Sequence, residues 1–229
     1  MCGIVGKVNW QEGCDQNLIA KMCKAILHRG PDDGGIITFE NAVLGHRRLS
    51  IIDLSKNASQ PMASNDRRYH IVYNGEVYNF MEIRKELEEA GLKFKSNSDT
   101  EVVLYSYIHW KERCLEKFQG MFAFAIWDNV LKELFLARDY FGKKPLYYFR
   151  DENGAIIFAS ELAALLEDKS IPQDISFEAL NCYLALGYIL APATLYKNIL
   201  KLEAATFLHI TDKGRKVRKC KYWDYKDAF

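Results

Sequence analysis

A cysteine stands second in the chain, so loss of Met1 would leave one residue, Cys2, carrying both a thiol and a free α-amino group. A free α-amine titrates near pKa ~7.7–8.0 and can serve as a general base at neutral pH. Only the thiolate is a strong nucleophile, and an unperturbed thiol titrates near ~8.5, so a base on the same residue is chemically useful. The plainer reading makes Cys2 a small apolar residue at the head of a buried strand, Gly3-Ile4-Val5-Gly6. Position alone does not separate the two.

Four further clusters could complete a site: Gly45-His46-Arg47-Arg48-Leu49-Ser50-Ile51, Asn74-Gly75-Glu76, Ser98-Asp99-Thr100-Glu101, and Arg138-Asp139-Tyr140-Phe141-Gly142-Lys143-Lys144-Pro145. A thiolate that attacks a side-chain amide creates an oxyanion, which needs preorganised donors. The Asn74 amide and the Gly75 N–H are donors of that kind. A free amino acid substrate also brings a carboxylate, which suits an arginine fork, and an ammonium, which suits one or two carboxylates. Arg48, Glu76 and Asp99 are the right types. Each has a structural alternative. Asn-Gly is a common tight-turn pair. A carboxylate at the start of a helix is favoured as a cap or first-turn residue. Paired arginines could be solvated charges at a strand edge.

These clusters fall at the ends of recognisable elements. Gly3 to Val8 reads as a strand, 17–27 as a helix, and 36–39 with 42–44 as a hairpin through Glu40-Asn41. Tyr69 to Tyr73 is a strand that runs into Asn74-Gly75-Glu76. Asn79 to Ala90 reads as a helix with an Asn79/Glu82 capping box and a Gly91 stop; 100–111 is a second, with Val103, Tyr107 and Trp110 on one face. Hairpins follow at 121–127 with 133–137 and at 146–149 with 155–159, then helices at 162–166 and 177–186. Strands joined by short turns, with helices segregated from them, predict an α+β layered domain with antiparallel sheets.

The 229 residues fit one large domain or two small ones, and 49% apolar with 27% charged residues is ordinary for a globular protein. A net charge of +1 gives no electrostatic case for nucleic acid or an anionic membrane. The densest basic run, Lys213 to Lys221, surrounds the turn signal Asp212-Lys213-Gly214 and reads as a solvated hairpin. No run approaches the ~18 apolar residues of a membrane span. With no export signal ahead of the first strand, a cytoplasmic location and reduced thiols are expected. The six cysteines include no C-x-x-C pair, so no metal is expected.

Taken in order, the segments Met1 to Gly6, His28-Arg29-Gly30-Pro31-Asp32, Gly45 to Ile51, Tyr73 to Asn79, Ser98 to Glu101, Phe141 to Tyr148 and Phe158-Ala159-Ser160-Glu161-Leu162 cover nearly the whole chain. In this order the chain resembles the glutaminase domain of class II glutamine amidotransferases, and within them the asparagine-synthetase group. The resemblance implies an αββα four-layer sandwich of two antiparallel sheets flanked by helices, the N-terminal nucleophile hydrolase fold. It implies Cys2 as nucleophile after Met1 is removed, Arg48 on the glutamine carboxylate, and Glu76 with Asp99 on its amine. Asn74 and the Gly75 N–H would form the oxyanion hole, and backbone groups of Leu49, Ile51 and Ile52 would line the pocket. L-Glutamine would yield glutamate and ammonia through a thioester, with the ammonia passed to a synthetase domain or subunit.

Two segments depart from the family pattern: Glu203-Ala204-Ala205-Thr206 replaces a Pro-Pro-Gly-His type stretch, and Leu190 stands where proline is common. Both bear on how the C-terminal edge meets its neighbour. The pyrophosphate loop of the synthetase domain is not in the sequence, so one glutaminase domain over residues 1–229 is expected, with a core of about 2–190. ATP and magnesium are expected only in the missing synthetase domain, and no cofactor here. A homodimer is left open. Two other readings compete: a catalytically silent module that binds or stabilises a synthetase partner, and an N-terminal-cysteine hydrolase acting on a different amide.

Overall fold

The computed structural model describes residues 1–50, 53 and 55–228. Among them, twelve strands form two six-stranded sheets. The first sheet holds β1 (Gly3–Val8), β2 (Asp33–Thr38), β3 (Ala42–Arg48), β8 (Tyr147–Arg150), β9 (Ile156–Ala159) and β10 (Ile199–Lys201), in the order β10-β8-β9-β1-β3-β2. The second holds β4 (Met62–Ala63), β5 (Tyr69–Val77), β6 (Gly120–Asp128), β7 (Glu133–Arg138), β11 (Thr206–Thr211) and β12 (Lys216–Lys221), in the order β12-β11-β7-β6-β5-β4. Every strand pair is antiparallel, which short hairpin connections permit.

Strand alternation sorts the apolar residues into three layers. Ile4, Leu44, Val72, Ala125, Trp127 and Phe158 meet between the sheets. Val5, Val43 and Ile157 face the other way, onto Ile19 and Met22 of helix α1 (Gln16–Ala25), Ile26 at its C-cap, and Leu165 of α4 (Leu162–Leu165). Ile71, Tyr73, Phe122 and Phe124 pack on Ile83 and Leu87 of α2 (Phe80–Glu89) and on Val102 to Leu104 of α3 (Asp99–Trp110). The layers are therefore helix, sheet, sheet, helix, as the sequence predicts.

Three details differ from expectation. Asn74-Gly75 is no turn: β5 runs straight through it to Val77, paired residue for residue with β6. Asn79 makes no side-chain cap; its amide donates to the Lys117 carbonyl at 2.9 Å and accepts from the Gln119 N–H at 3.0 Å, tying the segment before β6 to the end of β5. The core does not stop near residue 190. Leu202, Leu208 and Ile210 are fully or almost fully buried between the sheets. These late strands extend both sheets, and the turn at 212–214 joins β11 to β12 as predicted.

Candidate active site

Alternation also fixes where the chemistry gathers. Cys2 shares parity with Ile4, Arg48 with Leu44 and His46, and Asn74 with Val72, so all three project into the inter-sheet layer at one end. Continuing the register of Gly3 with Arg47 sets Cys2 across from Arg48. The result is a cavity of about 180 Å³ lined by Cys2, Arg48, Leu49, Asn74, Gly75 and Asp99, with Glu76 beside them. Ile51 and Ile52 lie outside the described residues.

The nucleophile candidate is held by main chain. The Leu49 N–H donates to Cys2 Sγ at 3.4 Å, and the thiol is 3.6 Å from the Leu49 carbonyl. Burial pushes the Cys2 thiol up; the Leu49 N–H, the chain's amino group and Arg48 act against that, while Asp99 adds to it. A thiol held up in this way needs a local base to react at neutral pH.

The clearest sign of a ligand is Asn74. It is 1% exposed, and both ends of its amide lack a hydrogen-bond partner. A buried amide without partners costs roughly 1–3 kcal/mol, which a fold carries only for a reason outside its own packing. Beside it, the Tyr73 N–H donates to Gln60 Oε1 at 2.6 Å and the Val77 N–H to Asp99 Oδ2 at 3.1 Å, both on the side of β5 away from β6. By alternation the Gly75 N–H leaves on that same side, where β4 pairs only Ile71 and His70. Glycine is required here for a second reason. A Cβ on Gly75 would stand 2.6 Å from the Met121 carbonyl oxygen and 2.8 Å from Phe122 Cα.

The charged groups are fixed as firmly. The Arg48 guanidinium donates to the carbonyls of Ser55, at 3.2 Å, and Asp53, and its nearest carboxylate, Asp33, is 4.0 Å away. Asp99 lies in the first turn of α3, but the N-cap is Ser98. Its carboxylate accepts from the Tyr73 hydroxyl at 2.7 Å and from Val77, which turns it toward the cavity. Burial raises the Asp99 carboxyl, and Glu76 adds to the rise; the Tyr73, Val77 and Thr100 bonds oppose it. Two carboxylates thus share one small space, an arrangement that an ammonium would relieve.

Sequence reasoning missed the groups that position these. Arg29 Nε donates to the Cys2 carbonyl at 2.9 Å and its Nη1 to Glu161 at 2.8 Å, clamping the start of β1. Ser160 Oγ accepts from the Ile4 N–H at 3.0 Å. His46 is fully buried, and its Nε2–H donates to the Tyr73 carbonyl at 3.1 Å, joining the two sheets beside Asn74. The signal for Arg29 and Ser160 was motif membership only; Arg29 reaches Cys2 across 27 residues and Glu161 across 132, and Ser160 reaches Ile4 across 156.

His46 carries a stability prediction. Burial pulls its pKa down to about 3 from 6.5, so the folded state resists a proton that the unfolded chain accepts. Its contribution is complete above the unfolded value and is lost as pH falls toward the folded one, at up to about 1.4 kcal/mol per pH unit. Urea unfolding at stepped pH should show the wild type losing stability more steeply below pH ~6.5 than His46→Gln. Parallel acid slopes would show that His46 is not the group responsible; His70, also lowered by burial, is the next to test.

The glutamine amidotransferase domain family matches residues 1–223. The chain's relatives include two proteins of Bacillus subtilis (strain 168). Glutamine-hydrolysing asparagine synthetase 1 is 42% identical over 93% of this chain and 34% of its own length. Glutamine-hydrolysing asparagine synthetase 3 is 36% identical over 98% of this chain and 37% of its own. The chain thus spans about a third of these curated relatives. Among solved structures, glutamine phosphoribosylpyrophosphate amidotransferase from Bacillus subtilis superposes with a TM-score of 0.69 at 19% identity, over 97% of this chain and 49% of that one. At that identity the likeness is one of fold.

Proposed function

Because the chain belongs to the glutamine amidotransferase domain family, we propose that it hydrolyses L-glutamine at Cys2 and hands the ammonia to a synthetase domain. The observation that carries this reading is the unpartnered Asn74 amide beside the open Gly75 edge, in one cavity with Cys2. In the proposed cycle Met1 is removed and the Cys2 amine takes the thiol proton. The thiolate attacks the side-chain amide carbon, and the oxyanion is received by Asn74 Nδ2 and the Gly75 N–H. The C–N bond breaks, ammonia leaves with the proton held by the Cys2 amine, and water cleaves the γ-glutamyl thioester. Arg48 takes the α-carboxylate; Glu76 and Asp99 take the α-ammonium.

The acceptor reaction follows the names of the curated relatives: ammonia would amidate aspartate in an ATP-dependent domain. Magnesium and ATP would be bound by that synthetase domain. A partner domain is also supported by helix α5 (Phe177–Leu186), whose Phe177 and Leu184 are 70% and 73% exposed. A helix this apolar is normally covered.

The test is glutamate and ammonia release from L-glutamine by the purified chain, with D-glutamine and L-asparagine as controls and intact mass reporting Met1. Release from L-glutamine alone supports the reading. Processed protein that releases nothing supports a silent module instead. Within the same assay, Arg48→Lys should raise KM for glutamine on the order of tenfold or more, with a smaller change in kcat, because a two-pronged contact becomes a point charge. An unchanged KM would remove Arg48 from carboxylate binding.

A further inference from the structure

The segment Arg138–Pro145 plays no part in the cycle above, yet it is tightly built. It joins β7 to β8, and its two leading charges hold its own backbone. The Asp139 carboxylate, 1% exposed, accepts N–H bonds from Phe122, Phe141, Lys143 and Lys144 at 2.9–3.1 Å. The Arg138 guanidinium donates to the carbonyls of Lys144, Gly142 and Leu202. What this scaffold presents is the Lys144 side chain. The residue is 5% exposed and lines the same cavity as Cys2 and Glu76, and among the described residues its ammonium has no hydrogen-bond or ion-pair partner. A partnerless ammonium that a fixed loop holds at a cavity wall points to a charge that arrives during use.

The charge count of the cavity says which one. Among the lining residues Arg48 contributes one positive charge, and Asp53, Glu76 and Asp99 contribute three negative ones. Glutamine binds as a zwitterion and changes nothing. Arg29 is already paired with Glu161. Without Lys144, the thiolate would have to form in a space that carries an excess of negative charge. With it, one of those negative charges is offset before the thiolate appears.

We propose that Lys144 is a positioning residue for Cys2, whose ammonium stabilises the Cys2 thiolate. A nearby cation favours the anionic form of the thiol. The inference rests on the reading of Cys2 as nucleophile. The groups acting on Lys144 from the surrounding elements are consistent with it. Burial and Arg29 lower the ammonium's affinity for its proton, while Cys2, Glu76 and Asp139 raise it. On the Cys2 side the charged groups that act on the thiol are the chain's amino group and Arg48, which favour the thiolate, and Asp99, which opposes it.

The experiment is iodoacetamide alkylation of Cys2 against pH in the full, Met1-processed chain, read at the N-terminal peptide by mass spectrometry. The forms compared are wild type, Lys144→Met, Lys144→Gln and Lys144→Arg, with thermal melts for each. Loss of the charge should slow alkylation at neutral pH on the order of tenfold and move its acidic limb to higher pH, whereas arginine should restore both. Lys144→Gln keeps a polar tip without the charge, so the comparison survives if the methionine variant does not fold. A neutral variant that matches the wild type in rate and limb overturns the inference, as does an arginine variant that behaves like glutamine. Failure of the glutaminase reading is a separate result: no glutamate is released by the wild type, while the alkylation difference persists.

Discussion

Replacing Cys2 with alanine is expected to reduce glutamate release by about 10⁴-fold or more, to the background of the assay. The expectation is this large because one residue supplies two functions. Its sulfur forms the covalent bond, and its amine, freed by loss of Met1, moves the proton. Alanine keeps the amine and removes the sulfur. Cys2→Ser keeps both positions but substitutes a hydroxyl, a much weaker nucleophile at its ordinary pKa, so it too should be severely impaired. Neither change should disturb the fold, since among the described residues the thiol's polar contacts are with Leu49 and are long, at 3.4 and 3.6 Å. Residual hydrolysis in Cys2→Ala near the wild-type rate would mean that another group is the nucleophile.

The second large effect is at Asn74, and there activity and stability should part. Loss of one oxyanion donor typically lowers kcat by ~10²–10³. Yet the Asn74 amide makes no hydrogen bond among the described residues, so Asn74→Ala removes a desolvated polar group and none of their native partners. Stability should hold or rise by up to about 1 kcal/mol. Melting temperature and kcat measured on the same preparation decide the point. A variant that loses both in proportion would make Asn74 a structural residue.

The fold was largely legible in the sequence because its signals are local. Period-two runs such as Ala123, Ala125 and Trp127 mark strands, and β12 ends a hairpin at the turn signal Asp212-Lys213-Gly214. Local signals also misled where tertiary pairing overrode them. Asn74-Gly75 carries the chemistry of a turn, but β6 approaches so closely that only glycine fits beside Met121 and Phe122, and the strand continues. Asn79 has the pattern of a capping box, but the segment entering β6 takes both ends of its amide. After residue 190 the basic run Lys213 to Lys221 marked a solvated hairpin, and the sparse apolar residues before it, Leu202, Leu208 and Ile210, which complete the inter-sheet core, were not read as core.

The candidate site divides along the same line. Cys2, Arg48, Asn74, Gly75, Glu76 and Asp99 were readable because each residue type states a chemistry, and the structure brings all six to one cavity. Arg29, His46 and Lys144 were not, because what they do depends on partners remote in sequence. Arg29 reaches back to the Cys2 carbonyl, His46 crosses between sheets to Tyr73, and Lys144 is delivered by a loop closed on Asp139. A pattern of residue types names the reacting groups; only the folded chain reveals what holds them.

The account turns on a bond between Cys2 and the substrate. Mixing the processed chain with L-glutamine, quenching in acid within a few turnovers and mapping the N-terminal peptide tests it most directly. The expected result is a peptide beginning at Cys2 that carries a γ-glutamyl group, absent from Cys2→Ala and lost on treatment with hydroxylamine. Glutamate release by protein that still carries Met1, or turnover with Cys2 never modified and the label on another residue, would contradict the account.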